Sequence, residues 1–414
     1  MRGLGALAIL NAIGCSAANH AGHLAAHPNP HRGPRAARRP TLELAAACGE
    51  TRADAPTIHR APYLQRLGAH GTRILWTTES SAPAEVVVTT PEGTPVGRFA
   101  AAVDRAARLA GARQLVASVG GLAPDTPYCY EVQEGGHPVV GRTAFRTAPA
   151  AGSGAPVRFV AFGDSGSGGA DQQALLRQIP TVAFDLLLHT GDVAYPSGDR
   201  RSLEATFFSV YERLLRHHVG YPVAGNHEYK TDRAAPFREV FDLPGNESWY
   251  SFDWGDVHFV AVDTERLGSE QAAWLERDLT AARGRWTIVY LHKPPISAGE
   301  HGGDAQVRRW IHPIVARHRV KLVLAGHEHD YERTRPIDGV TYVITGGGGN
   351  GTRPVRRASW TAYSDDVIHF VYVTIQDDVL RLHAIDATGA EFDAVELRRG
   401  DAVARTGPSR LQVR

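Results

Sequence analysis

Several shortages in this sequence each remove a class of protein. Three cysteines in 414 residues are too few for a scaffold built on disulfides. The formal net charge of +1 supplies no excess positive charge to drive nucleic-acid binding, and no nucleic-acid partner is expected. No apolar run is long enough to span a bilayer. What remains is an ordinary water-soluble composition, 43% hydrophobic and 21% charged, with length enough for two or three domains. Histidine is the exception to scarcity: there are 20, several of them inside short Gly/Asp/Asn motifs.

The start of the chain speaks to compartment. Met1-Arg2 is followed by a short apolar run from Gly3 to Ile13, the form of an export-signal core. Ala12-Ile13-Gly14-Cys15 resembles a bacterial lipoprotein cleavage box, with Ala12 where leucine is usual. Residues 1–15 are therefore expected to be an export signal. They direct the protein to a bacterial cell envelope through lipidated, membrane-attached Cys15, or to the periplasm or medium by plain secretion. Residues 16–56, rich in Ala, Pro, His, Arg and Gly, are expected to be a disordered linker whose histidines (His20, His23, His27, His31) are solvated. Cys48 and Cys129 then either bridge, pinning the N-terminal segment to the first domain, or stand as two separate thiols.

Residues 57–148 show short strands broken by turns. Arg73 to Thr78 alternates as a half-buried strand does, with Trp76 available for a core, and Glu85 to Thr90 supplies another. Gly121 to Tyr130 carries the tyrosine-corner pattern of fibronectin-III-like sandwiches, in which a tyrosine hydroxyl bonds back to nearby backbone; Tyr128 takes that role. Small residues from Ala148 to Gly154 form a linker.

From 156 to 398 the texture becomes strand, loop, helix, repeated. Val157–Phe162, Phe184–His189, Thr287–His292 and Lys321–Ala325 are apolar runs suited to strands covered on both faces; Tyr342–Thr345 and Phe370–Ile375 add later strands. Helices are expected over 170–179, 203–217, 270–281 and 305–318. Ser269 caps the third, and Trp274, Leu275 and Leu279 form its core stripe. Residues 399–414 are a tail.

Five polar motifs each follow an apolar strand: Gly163-Asp164, Gly191-Asp192 with Tyr195, Gly225-Asn226-His227-Glu228, His292, and Gly326-His327-Glu328-His329. Ligands of α/β sheets gather beyond the carboxyl ends of strands, so these side chains are expected to converge. The glycines are expected to let the chain turn sharply there and to keep backbone out of the site. A shared carboxylate both bridges and neutralises two close cations. Carboxylate and phenolate oxygen suit trivalent iron; imidazole and amide oxygen suit Zn, Mn or ferrous iron. Among the remaining features, His217-His218 is expected at the surface, His258 in a strand, and Gly346 to Gly351 in a flexible turn. The last is no P-loop, because no Lys-Ser/Thr follows it.

Together Asp164, Gly191-Asp192-x-x-Tyr195, Gly225-Asn226-His227-Glu228, Val289-x-x-His292 and Gly326-His327-x-His329, continued by Asp330-Tyr331-Glu332-Arg333, resemble the motif set of the purple acid phosphatases. These belong to the calcineurin-like metallophosphoesterases. The resemblance implies an α/β (α+β) four-layer sandwich, two packed mixed sheets flanked by helices, preceded by an all-β fibronectin-III-like domain. It implies that Asp164, Tyr195 and His329 hold ferric iron. Asn226, His292 and His327 hold a second divalent metal, and Asp192 bridges the two. A phosphomonoester substrate is then attacked by hydroxide that the metals make available, with His227 the first candidate proton donor and His301 the second. Gly302 follows His301 where some members carry another histidine. Other readings are a phosphodiesterase or nucleotide hydrolase of the same superfamily, and a non-catalytic surface binding protein with a vestigial site.

Overall fold

The computed structural model describes residues 44, 46–49, 54–104 and 111–400. The export signal with Cys15, most of the linker with its histidines, and the tail beyond residue 400 lie outside the described residues. No described helix is long and apolar enough to cross a membrane.

Alternating apolar residues in the first domain make seven strands: β1 (Ile58–Gln65), β2 (Gly71–Thr78), β3 (Ala84–Thr89), β4 (Pro95–Val103), β5 (Arg113–Gly120), β6 (Pro127–Glu134) and β7 (His137–Arg146). Their order is β1-β2-β5-β4-β3-β6-β7. β4 connects the two halves, pairing first with β3 and then, over Ala101 to Val103, with β5. Trp76 is fully buried at the centre. The hydroxyl of Tyr128 accepts the Ala123 N–H at 2.9 Å, the local bond expected of it. Cys48 and Cys129 form a disulfide, so the segment around Cys48 is held against β6 and is not a free linker. Asp54, also within the expected linker, bonds Arg216 at 3.1 Å.

The second domain has two mixed sheets. One runs β10-β9-β8-β18-β19-β20, from β8 (Val157–Phe162), β9 (Leu186–His189), β10 (Val219–Pro222), β18 (His369–Gln376), β19 (Val379–Asp386) and β20 (Glu391–Arg398). The other runs β11-β12-β13-β14-β16-β15-β17, from β11 (Tyr250–Trp254), β12 (Val257–Val262), β13 (Trp286–Leu291), β14 (Leu322–Ala325), β15 (Tyr331–Thr334), β16 (Thr341–Thr345) and β17 (Thr361–Asp365). β8, β9 and β10 are mutually parallel, as are β12, β13, β14 and β16. The sheets pack face to face, for example Phe159 edge-on to Phe259 at 5.4 Å. Ile288 and Tyr290 join that central core, while Val289 and Leu291 point to the other face and meet Leu275, Leu279 and Val315 of the covering helices. Burial on both faces is why these strands read as unbroken apolar runs.

Several local expectations change. The helix at Ser269–Ala281 is capped by Gly268, with Ser269 its first residue. The helix expected from 203 begins at Arg200 under an Asp199 cap and contains a π segment, Glu204–Phe208. The one expected over 305–318 is two, Ala305–Trp310 and His312–Arg317, because Pro313 cannot continue a helix. His218 is buried, stacked on Phe184 at 4.2 Å, and the ring of His217 bonds the Ala144 carbonyl at 2.7 Å; neither is a plain surface residue. Gly346 to Gly349 are buried rather than a flexible turn. A Cβ on Gly348 would stand 2.1 Å from the Gly163 carbonyl oxygen, so this segment is glycine to lie flat under the site.

Candidate metal centre

All five motifs leave the carboxyl ends of parallel strands: Asp164 after β8, Asp192 and Tyr195 after β9, Asn226 and His227 after β10, His292 after β13, and His327 with His329 after β14. The two sheets therefore meet at one site. Backbone bonds from Gly163 to Thr345 and from Gly326 to His292, each 2.9 Å, join the strand ends.

The sharp turns fall on the polar residues themselves. Asp164, Asp192 and His327 have φ of 58°, 49° and 72°, in the left-handed region that non-glycine residues seldom occupy. Strain of about 1–3 kcal/mol at each such residue is characteristic of functional sites. Of the neighbouring glycines only Gly191 has positive φ; the others give room. A Cβ on Gly225 would meet Asp192 Oδ1 at 2.2 Å, and one on Gly326 would meet Asp164 Oδ2 at 2.5 Å.

The donor atoms fall into two groups. In the first, the Tyr195 hydroxyl is 3.1 Å from each of Asp164 Oδ1, Asp192 Oδ2 and His329 Nε2. In the second, His292 Nε2 is 3.0 Å from Asn226 Oδ1 and 3.4 Å from Asp192 Oδ1. Ligand atoms of Asp192, His292 and His327 lie within 4.8 Å of one another. Asp192 belongs to both groups, one oxygen in each. Ligands at about 2.1 Å from an ion stand roughly 3.0–3.4 Å apart, so both groups have the spacing of a coordination shell. The Nδ1 atoms of His292 and His329 are tied to the carbonyls of Thr190 (2.9 Å) and Asn350 (3.1 Å), leaving Nε2 directed inward as metal-binding histidines require.

Charge makes the same demand. Asp164 and Asp192 are buried, and among the described residues no lysine or arginine bonds either carboxylate. Burial raises the Asp164 pKa well above the carboxylate range. For Asp192 burial is outweighed by His292, which holds it low. His292 is in turn pushed up to about 10, because the charge of Asp192 and their contact overcome burial. Burial and the two aspartates drive Tyr195 far above its ordinary value, so the phenol stays protonated unless a cation takes the proton's place. Two buried carboxylates and a phenol, with no lysine or arginine among the described residues bonded to the carboxylates, fit a pair of cations.

His227 and His301 flank the group. Nδ1 of His227 is 2.8 Å from the Pro196 carbonyl, its ring lies 4.2 Å from Tyr195, and Nε2 is 3.9 Å from Asp192 Oδ2. The Lys230 ammonium approaches both its nitrogens, at 3.1 and 2.9 Å. His301 lies on the opposite side, its ring 4.7 Å from that of His327 and Nδ1 3.3 Å from Glu328. Sequence reasoning gave no role to Glu228. Its buried carboxylate accepts the N–H groups of Ala194 (3.1 Å) and Gly225 (2.8 Å) and so fastens two motif loops together. It also missed Thr190 and Asn350, which act through backbone carbonyls that carry no side-chain signal.

Residues 157–331 match the family model for calcineurin-like phosphoesterases. An uncharacterized protein of Mycobacterium tuberculosis is 29% identical over 268 residues, covering 53% of this chain and 50% of its own. Probable purple acid phosphatase 20 of Arabidopsis thaliana is 27% identical over 338 residues, covering 72% of this chain and 76% of its own. Residues 157–331 form a calcineurin-like phosphoesterase domain. The phosphoesterase fold extends to a solved structure, purple acid phosphatase PPD1 from yellow lupin (Lupinus luteus) seeds. It has a TM-score of 0.73 at 21% identity, covering 82% of this chain and 74% of that one. The chain spans about half the length of the first curated relatives it matches.

Proposed function

We propose that this protein is an acid phosphatase that hydrolyses phosphomonoesters at a binuclear centre. The observation that carries the reading is the division of donor atoms into two groups sharing Asp192. Asp164, Tyr195, His329 and Asp192 would hold ferric iron, which their hard oxygens suit; Asn226, His292, His327 and Asp192 would hold a divalent Zn, Mn or Fe. When bound, the pair supplies Lewis-acid stabilisation of phosphoryl charge and acidifies water.

The chain's own residues do the rest. Pro196 fixes His227 through Nδ1, leaving Nε2 as the nitrogen that gives a proton to the leaving oxygen. Burial, and to a lesser degree the Lys230 ammonium lying against the ring, opposes a second proton on His227. The negative charge of Asp192, whose Oδ2 lies 3.9 Å from Nε2, favours that proton. His301 lines the other wall. The first domain is proposed to be fibronectin-III-like, which its strand order and the Tyr128 bond support. Export is supported by the disulfide, which persists in oxidising compartments. Turnover of p-nitrophenyl phosphate against bis(p-nitrophenyl) phosphate tests the reading. The monoester is expected to be preferred, and Asp192→Asn to lose both metals and at least ~100-fold in activity. Preference for the diester would instead make the protein a phosphodiesterase.

A further inference from the structure

One cation at the rim has no task in that account. The backbone N–H of Arg353 donates to the His329 carbonyl at 2.9 Å, so its Cα is fixed to the segment carrying the last two histidines. Its guanidinium turns back over the rim, with Nη1 3.3 Å from His301 Nδ1, beside the ring that packs on His327. Its acidic neighbours are Glu300, Nε to Oε2 at 3.6 Å with that side chain 63% exposed, and the buried carboxyl of Asp330, on which its charge acts without a hydrogen bond. So long a contact to a solvated carboxylate contributes little, and it leaves most of the five guanidinium N–H donors uncommitted. The loop is held in place, since the N–H of Arg356 donates to the Ala298 carbonyl at 3.3 Å. A planar guanidinium fork matches the oxygens of a phosphoryl group.

We infer that Arg353 is the binding arm for a second anionic group of the substrate, and that the preferred substrates are phosphomonoesters bearing a further phosphoryl group close to the one removed. The inference rests on the phosphomonoesterase reading above. Water adds to the scissile phosphorus, the P–O bond to the leaving oxygen breaks, and that oxygen takes one proton. The second phosphoryl group departs intact with the leaving part. Arg353 acts on the distal group, whose binding orients the reacting one.

The test compares binding of methylenediphosphonate and orthophosphate to the metal-loaded protein by calorimetry. Both ligands also meet the metals, so the change in the ratio of their dissociation constants between wild type and an Arg353 variant isolates the arginine. The wild type is expected to favour the diphosphonate. Arg353→Ala should cut that preference on the order of tenfold or more, with Arg353→Lys, a point charge without the fork, recovering only part. Should the alanine variant fold poorly, Arg353→Gln keeps the side-chain bulk and should show the same fall. An unchanged ratio in a folded, metal-replete variant overturns the inference. A wild type that turns over p-nitrophenyl phosphate without favouring the diphosphonate overturns it too, leaving the phosphatase reading standing. Failure to turn over any monoester removes that reading instead.

Discussion

Asp192 shows how much one residue carries. Its two oxygens face different donor groups, its backbone sits at φ 49°, and its Oδ1 also accepts the His227 N–H at 2.8 Å. Its place among these donors was legible because carboxylate, amide, phenol and imidazole each advertise their chemistry in the sequence; the left-handed turn, expected on the glycines, was not. Backbone groups do not, so the carbonyls of Thr190 and Asn350 that aim His292 and His329 appear only in the fold. Of the flanking histidines, His227 has the more definite placement. His227→Ala is predicted to slow turnover by about 10²–10⁴-fold while metal content is kept, with the greater loss on esters of poor leaving groups. Equal loss on good and poor leaving groups would show that the ring positions substrate and does not deliver a proton.

At the scale of elements, strands β8, β9, β13 and β14 were legible because burial on both faces leaves them continuously apolar. Helix limits were less so. The Asp199 cap lies in a polar stretch with no periodicity to mark it, and Pro313 divides a run whose apolar spacing is otherwise unbroken. The glycine run 346–349 misled for a physical reason: the same residue serves open flexible turns and tightly packed backbone, and only the neighbouring atoms distinguish them. His258 on β12 shows a contact no local pattern announces. It joins Asp253 on β11 at 2.7 Å and Asp278 of the Ser269–Ala281 helix at 2.8 Å. Burial lowers its pKa, but the two carboxylates more than offset this and bring it to about 8. A folded pKa above the unfolded value of about 6.5 stabilises the fold fully below about pH 6.5, and that stability is lost as pH rises through 8. The predicted loss is about 1–2 kcal/mol. Urea unfolding of wild type and His258→Gln between pH 6 and 9 checks it: the difference in stability should shrink with rising pH, and a constant difference would refute the bridge.

At the scale of the whole molecule, the two domains share buried polar bonds as well as apolar core. Arg60 on β1 is 3% exposed, bonds Glu204 at 3.0 Å and Gln114 at 2.9 Å, and lies 4.1 Å over the Phe208 ring. The π segment brings Glu204 and Phe208 to that arginine, so an irregularity in one domain meets a strand of the other. Because the Glu204 side chain is 40% exposed, water can take over its charge when the arginine is removed. Arg60→Ala should therefore cost about 2–3 kcal/mol, nearer a lost charged hydrogen bond than a fully buried ion pair. A urea-unfolding change under about 0.5 kcal/mol would mean the interface does not depend on it. All of this scaffolding holds the ends of β8, β9, β10, β13 and β14 at one point, and the central claim is that two cations, one of them ferric, occupy it. The most direct measurement is metal analysis together with a visible spectrum of the purified protein. The account predicts two metal ions per chain, at least one of them iron, and a visible charge-transfer band that disappears in Tyr195→Phe; a metal-replete protein without iron, or a band that survives that substitution, would contradict it.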